Sequence, residues 1–412
     1  MRRANLLILA SAVAMLGWGT VLPYQYAYAA DTRGWGGMAG AAAATMFSVG
    51  ALLAAPLGGR LADRHNPAAV AMITRLLAAV AALCLISADH PVTFLAAMAL
   101  FGFGLAGGSP AQSVLALRWA AGAGDRRRIF AWLASGQALG MGLGSFIAGF
   151  LVDLDRTDGM LPAFTIAAGG FALSSILIGI AGRGVNDLTS PPTTSRELDA
   201  RPGQAWKLIF SSRPLLLVTV INVAIALAYH AQFESGLPAY GLTVLHISEE
   251  TVGIAAAINC LVILALQMLV IRWTAGRSAA GLLMIVGGIW VLCWMIMGAA
   301  AHLPELSSVI FVSTFGLFAF GETLFAPVLN PLVASLTPTR MVGMTLGLFT
   351  AFQTGATAVG PLLSGATLGA GLSWLFIAGN IAISLVAVVG GRLLQQSLSR
   401  RTPTTAAVAT AG

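Results

Sequence analysis

Lysine is almost missing from this chain: Lys207 is the only one. A phosphate-binding loop of the GK[ST] type sets a lysine beside a Ser or Thr. Leu208 follows Lys207, so no nucleotide-driven pump is encoded here. Cysteine is equally scarce. Cys84, Cys260 and Cys293 lie in apolar runs without CxxC spacing, which argues against a disulfide framework or a metal site and leaves three small buried hydrophobes. Charge is the third shortage, at 9% of residues, where a soluble domain carries about a quarter. Clusters of His, Asp or Glu on neighbouring segments, as an enzyme would want, are wanting too. Only His230 and Glu234, an i, i+4 pair expected at the outer end of a seventh span, come near that. Neither an enzyme nor a bound cofactor is expected.

What fills the space is apolar: 58% of the 412 residues are hydrophobic and the mean hydropathy is +0.86. With a span of about 20 residues as the ruler, twelve apolar segments emerge. They lie near 5–29, 37–58, 68–88, 92–117, 129–152, 162–182, 214–239, 250–272, 279–301, 306–335, 341–368 and 372–394. These runs are long and continuous, which fits helices and not the alternating strands of a barrel. The start of the chain, with its Ala27-Tyr28-Ala29 triplet, looks superficially like a secretory leader. Its apolar stretch far exceeds the roughly 7–15 residues of a leader core, so it reads as the first transmembrane helix.

Basic residues alternate with the spans. Arg60 and Arg64, then Arg118 and Arg126 to Arg128, Arg183, Arg196, Arg201, Lys207 and Arg213, Arg272 and Arg277, Arg340, and finally Arg392, Arg400 and Arg401 share one side. Arg33 and Arg156 lie opposite, with Asp31, Asp89, Asp153, Asp155, Asp158, Glu249, Glu250 and Glu305. The positive-inside rule then places both termini in the cytoplasm of a multi-pass protein of the cell (inner) membrane. The net charge of +7 is thereby a topology signal, and nucleic acid is not an expected partner.

A polar stretch rich in Pro, Ser and Thr divides the spans six and six. The expected units are an N-terminal bundle at 1–182, a cytoplasmic linker at 183–213, a C-terminal bundle at 214–395 and a disordered tail at 396–412. Across the divide, Gly104 and Pro110 return as Gly321 and Pro327, and Gln137, Gly144 and Gly149 return as Gln353, Gly360 and Gly365. Leu22-Pro23-Tyr24 closing the first span matches Leu237-Pro238-Ala239-Tyr240 closing the seventh. A common offset in three helix pairs argues for two homologous halves related by an axis along the membrane normal.

The loop GGRLADRHNP, Gly58 to Pro67, resembles the signature between spans two and three of the major facilitator superfamily. Gly59, Leu61, Asp63 and Arg64 fit it, while Asn66 and Pro67 replace a Gly and a basic residue. Asn66 can still supply the left-handed backbone a Gly would give. The resemblance implies an all-α membrane protein of twelve transmembrane helices in two six-helix bundles, with Gly59, Asp63 and Arg64 as a gating motif. In the family the Asp caps a neighbouring helix N-terminus and forms charge pairs that lock one face. The fifth span, with Gly136, Gly140, Gly144 and Gly149, resembles the Gly-rich helix of the family's antiporters. Gly140, Gly144, Gly149, Gly360 and Gly365 are expected to pack helices of the two halves closely. The family's Gly-Pro pair stands in span eleven, as Gly360-Pro361, and a family Arg that would fall near Met98 is missing.

Function turns on the few ionisable groups inside the spans: Arg75, Glu234 and Glu322. Glu322 sits in an apolar run without a basic neighbour. An ionised carboxylate at mid-depth is costly unless solvated or paired, so Glu322 is expected to exchange a proton during transport, with Glu234 as the rival proton site. Tyr24, Gln25, His230, Asn259, Gln267 and Gln353 are expected to line the substrate cavity. The resemblance to multidrug-efflux members implies a monomeric secondary transporter exporting amphiphilic or weakly cationic small molecules against protons. A proton-linked importer of a neutral sugar or nucleoside is the alternative.

Overall fold

A computed structural model describes residues 2–119, 123–183, 202–274, 277–338 and 341–400. Among these, twelve helices are long and apolar enough to cross a membrane. The first half comprises α1 (Arg2–Val21), α2 (Gly37–Arg64), α3 (Pro67–Ile86), α4 (Pro91–Arg118), α5 (Ala123–Leu151) and α6 (Leu161–Gly182). The second comprises α7 (Arg213–Ile225), α8 (Glu249–Thr274), α9 (Ala279–Ala300), α10 (Ser307–Leu336), α11 (Val342–Leu368) and α12 (Ser373–Ser399).

Helix starts follow local chemistry. His90 and Ser278 accept hydrogen bonds from the first turns of α4 and α9, as N-caps do. Asn66 does the same for α3, accepting from Ala68 N at 2.9 Å, with Pro67 in the first turn. The left-handed Asn66 expected from the loop motif is therefore corrected: its backbone is extended, at φ −62° and ψ 115°, because a capping side chain needs that conformation.

The expected linker, 183–213, contains a short helix at Pro202–Ser211, while its residues 184–201 lie outside the described residues. So do residues 401–412 of the expected tail, whose first residues continue α12 as far as Ser399.

The two LPY-type segments bend helices and do not end them. Beyond Val21 the chain turns at Leu22 to Tyr24 and runs on as Gln25–Ala27 and a π-helical turn, Tyr28–Thr32. Beyond Ile225 it widens into π-helical turns at Ala226–His230 and Gln232–Gly236, then resumes as an α-helix over Leu237–Thr243. Each proline removes its own N–H from the helix ladder and sets its ring against the preceding turn, so the helix bends or widens there.

Close packing against a glycine repeats in both halves, on backbone at Gly104 and on an indole side chain at Gly321. A Cβ at Gly104 would lie 2.5 Å from Ala78 N on α3, and one at Gly321 would lie 2.5 Å from Trp290 Nε1 on α9. Gly149 meets Gly253 of α8 at 3.3 Å, and Gly365 meets Gly37 and Ala41 of α2. These last two contacts join the halves. Gly140 and Gly144, by contrast, press on the Ala12 and Leu16 carbonyls of α1, and Gly360 presses on Ala231. The expectation of contacts between the halves is thus corrected for these three, which close each bundle internally. Their neighbours explain it: the α5 face that carries Gly136, Gly140 and Gly144 is occupied by α1.

The halves meet along α5–α8 and α2–α11. Tyr24 donates to Glu249 O at 3.0 Å, Leu154 N donates to Glu249 Oε1 at 3.3 Å, and Thr45 Oγ1 donates to Ala358 O at 2.9 Å. All of these contacts lie between mid-depth and the face opposite the chain ends. The halves are closed together on that face.

Candidate functional site

The second half carries a polar cluster inside its core. Glu322 lies midway along α10, and Tyr229 stands in the π-helical turn that follows α7. Tyr229 donates its hydroxyl to Glu322 Oε2 at 2.7 Å. Asn259 of α8 donates Nδ2 to the Tyr229 oxygen at 3.1 Å and to Phe315 O at 2.9 Å. Because Asn259 occupies a lone pair of the phenol oxygen, the phenol hydrogen is left for the carboxylate. Among the described residues no Lys or Arg forms a salt bridge with Glu322, so a neutral donor does the work of a countercharge.

The widened turn positions Tyr229 and frees carbonyls that an α-helix would consume. Trp294 Nε1 takes Ala228 O at 3.1 Å, and Gln232 Nε2 takes Leu227 O at 3.1 Å. Single π-helical turns of this kind occur often at functional sites. The phenol ring is held between Trp290, at 4.9 Å, and Phe318, at 5.2 Å, both inclined by 24°. Stacked aromatic pairs add about 0.5–1.5 kcal/mol each beyond their burial. The ring therefore has little freedom to leave Glu322. His230, the next residue, is half-buried, and its Nε2 has no hydrogen-bond partner. A buried nitrogen in that state is a place for water or a ligand to bind.

The remaining expected residues separate. His230 does not lie at the outer end of its span: it shares the depth of Glu322 because the seventh crossing continues to Thr243. Tyr24 is buried on the face where the halves close, bonded to Glu249 O, and Gln25 is buried in the short helix after it. Gln353 is half-buried on α11, and Gln267 is exposed near the far end of α8. Tyr24 and Gln267 do not join the cluster. Gly59 is half-buried with only Pro110 Cβ, at 3.9 Å, near its would-be Cβ, and Arg64 is exposed at the end of α2. The side chains of Asp63 and Glu234 lie outside the described residues.

Tyr229, Trp290 and Trp294 are functional neighbours that sequence reasoning missed. The available signal was a tyrosine directly before His230 in a largely apolar span, since a buried phenol demands a partner.

The removal of one hydroxyl tests the cluster. Tyr229→Phe keeps the ring stack but leaves Glu322 and Asn259 without their shared partner, a loss of about 1–3 kcal/mol. Thermal unfolding in detergent should show a lower midpoint than wild type, and an unchanged midpoint would mean the bond contributes nothing.

Twelve apolar helices in two similar halves, joined on one face and with a mid-depth carboxylate that has no basic partner among the described residues, define a multi-pass membrane protein of transporter architecture. The chain belongs to the Major Facilitator Superfamily, whose family model matches residues 7–361. No curated protein sequence matches it. Among solved structures, it resembles a POT family transporter in complex with 5-aminolevulinic acid, at 15% identity and TM-score 0.76, over 97% of each chain. A bacterial homolog of the human lysosomal transporter Spinster, inward-facing and unoccupied, is similar at 12% identity and TM-score 0.75, over 98% of each chain. The nucleoside transporter NupG matches at 14% identity and TM-score 0.72, over 97% of this chain and 99% of that one. At these identities the likeness is one of fold.

Proposed function

We propose that this protein is a proton-coupled secondary transporter that exports amphiphilic or weakly cationic small molecules across the cell membrane by alternating access. The observation that carries the reading is Glu322, held by Tyr229 at 2.7 Å with no basic partner among the described residues. A carboxylate stabilised only by a neutral phenol is a site a proton or a substrate ammonium group can occupy in turn. In this reading the charge pattern sets both termini in the cytoplasm, and the closed face is the external one. Glu322 then exchanges its ligands with the cytoplasm in the state described, and with the outside when the halves rock.

Asp63, in the last turn of α2 beside the short connection to α3, is the proposed control on that rocking. Asp63→Asn should insert and fold normally but transport more slowly in proteoliposomes. Wild-type rates in that variant would reduce the loop to a topological signal.

A neutral-nutrient importer is the second reading, favoured by the uncharged polar groups of Asn259 and Gln353 on this half. A deletion strain separates the two. Increased sensitivity to amphiphilic cations supports export, whereas unchanged sensitivity with poor growth on one sugar or nucleoside supports import.

A further inference from the structure

The short helix before α7, Pro202–Ser211, carries more than a connector needs. Ile209 is fully buried in the core of the second half, while Trp206 and Phe210, on the flank beside it, are 42% and 57% exposed. Their rings stack on each other at 5.8 Å and 8°. The Trp206 ring also meets Phe352 of α11 edge to face, at 5.1 Å and 79°. One residue further round the helix, about 100° on, comes the exposed Lys207, the only lysine of the chain. The exposed Arg213 opens α7 just beyond. No Asp or Glu occurs from residue 200 to residue 233, and neither base forms a salt bridge among the described residues.

The side of α11 that carries Phe352 fixes where this flank points. Gly360 and Ser364 of α11 meet the widened turns after α7, and Gly365 meets α2. Thr350 and Thr354 fall on the side opposite Phe352, at about 100° per residue. Phe352 instead shares a stripe with Val359 and Leu363, seven and eleven residues on, which are 50% and 47% exposed. Large apolar side chains left exposed along one stripe of a spanning helix face the hydrocarbon. The stacked pair therefore lies on the lipid side of the bundle, toward the face that carries the chain ends.

We propose that Trp206 and Phe210 with Lys207 and Arg213 form an interfacial site for an anionic phospholipid of the leaflet on the side of the chain ends. The two rings enter that leaflet at headgroup level, where an indole keeps its apolar body in lipid and its N–H in water. Lys207 and Arg213 meet the net negative charge of the headgroup, each favouring it by about fivefold near a membrane surface. Aromatic rings beside basic residues on a short amphipathic helix are what lying in the interface plane requires. The helix leads directly into α7 and touches α11, so a lipid held there bears on both. The site stands independently of the reading of Glu322.

Quenching of tryptophan fluorescence by brominated phospholipids in nanodiscs tests the site. The bromines are carried on the acyl chains close to the headgroup, and the share due to Trp206 is the difference between wild type and Trp206→Phe. Brominated phosphatidylglycerol, diluted into unbrominated phosphatidylcholine, should quench that share more strongly than brominated phosphatidylcholine at the same dilution. Lys207→Gln, at an exposed position, should reduce the preference about fivefold. Adding Arg213→Gln should remove it, with both lipids still quenching Trp206. If neither lipid quenches Trp206 in wild type, the flank is not on the bilayer and the site is overturned. Equal quenching by the two lipids in wild type would leave ordinary annular contact and overturns it as well. So does a preference for phosphatidylglycerol that survives the double substitution.

Discussion

Glu322→Gln is expected to abolish uphill transport in proteoliposomes while the protein still folds and inserts. Gln keeps the shape and can still accept the Tyr229 hydroxyl, which is held at 2.7 Å in the wild type, so the local packing survives. What it lacks is a proton to release and a charge to offer. A transporter without that exchange can equilibrate its substrate but cannot accumulate it, because the proton gradient no longer acts on any step. Accumulation against a gradient should fall to background, with equilibrative exchange retained. If the variant accumulates substrate at the wild-type rate, the carboxylate is a structural tie between α10 and the turn after α7.

Gly144→Leu carries the largest expected cost to stability. A Cβ there overlaps the Leu16 carbonyl oxygen and lies 2.9 Å from its carbon, so the obstacle is backbone and cannot rotate away. Overpacking of this kind costs about 1–3 kcal/mol, and more when nothing can relax. The variant should give a lower yield of monodisperse protein and a lower unfolding midpoint. Gly288→Leu on α9 is the control, because no atom lies within 4 Å of its would-be Cβ. It should behave as wild type. Equal behaviour of the two variants would mean that α1 and α5 pack more loosely than described.

The spans were legible in the sequence because length and hydropathy alone decide what a bilayer accepts. The repeat was legible because Gly, Pro and Gln at one offset mark equivalent backbone contacts, such as Gly149 on Gly253 and Gly365 on Gly37. Which helix each glycine meets was not legible: a small residue announces a close approach without naming the partner, so Gly140 and Gly144 were assigned to the wrong neighbour. Glu322 was visible as a charge in an apolar run. Tyr229 was visible only as a phenol in need of a partner, since which partner it meets depends on a widened turn that no local residue pattern encodes. Arg75 was visible as an ion but not as part of a hydrogen-bonded network with Ser11, Gln112 and Gln137, which come from three other helices.

The central claim, that Glu322 exchanges a proton during transport, is tested most directly by substrate-induced proton flux, recorded side by side for wild type and Glu322→Gln in proteoliposomes. An amphiphilic amine added on the side where Glu322 is accessible should release protons to that side in wild type and move none in the variant. Equal proton flux in the two proteins, or none in the wild type while substrate still accumulates, would contradict the account.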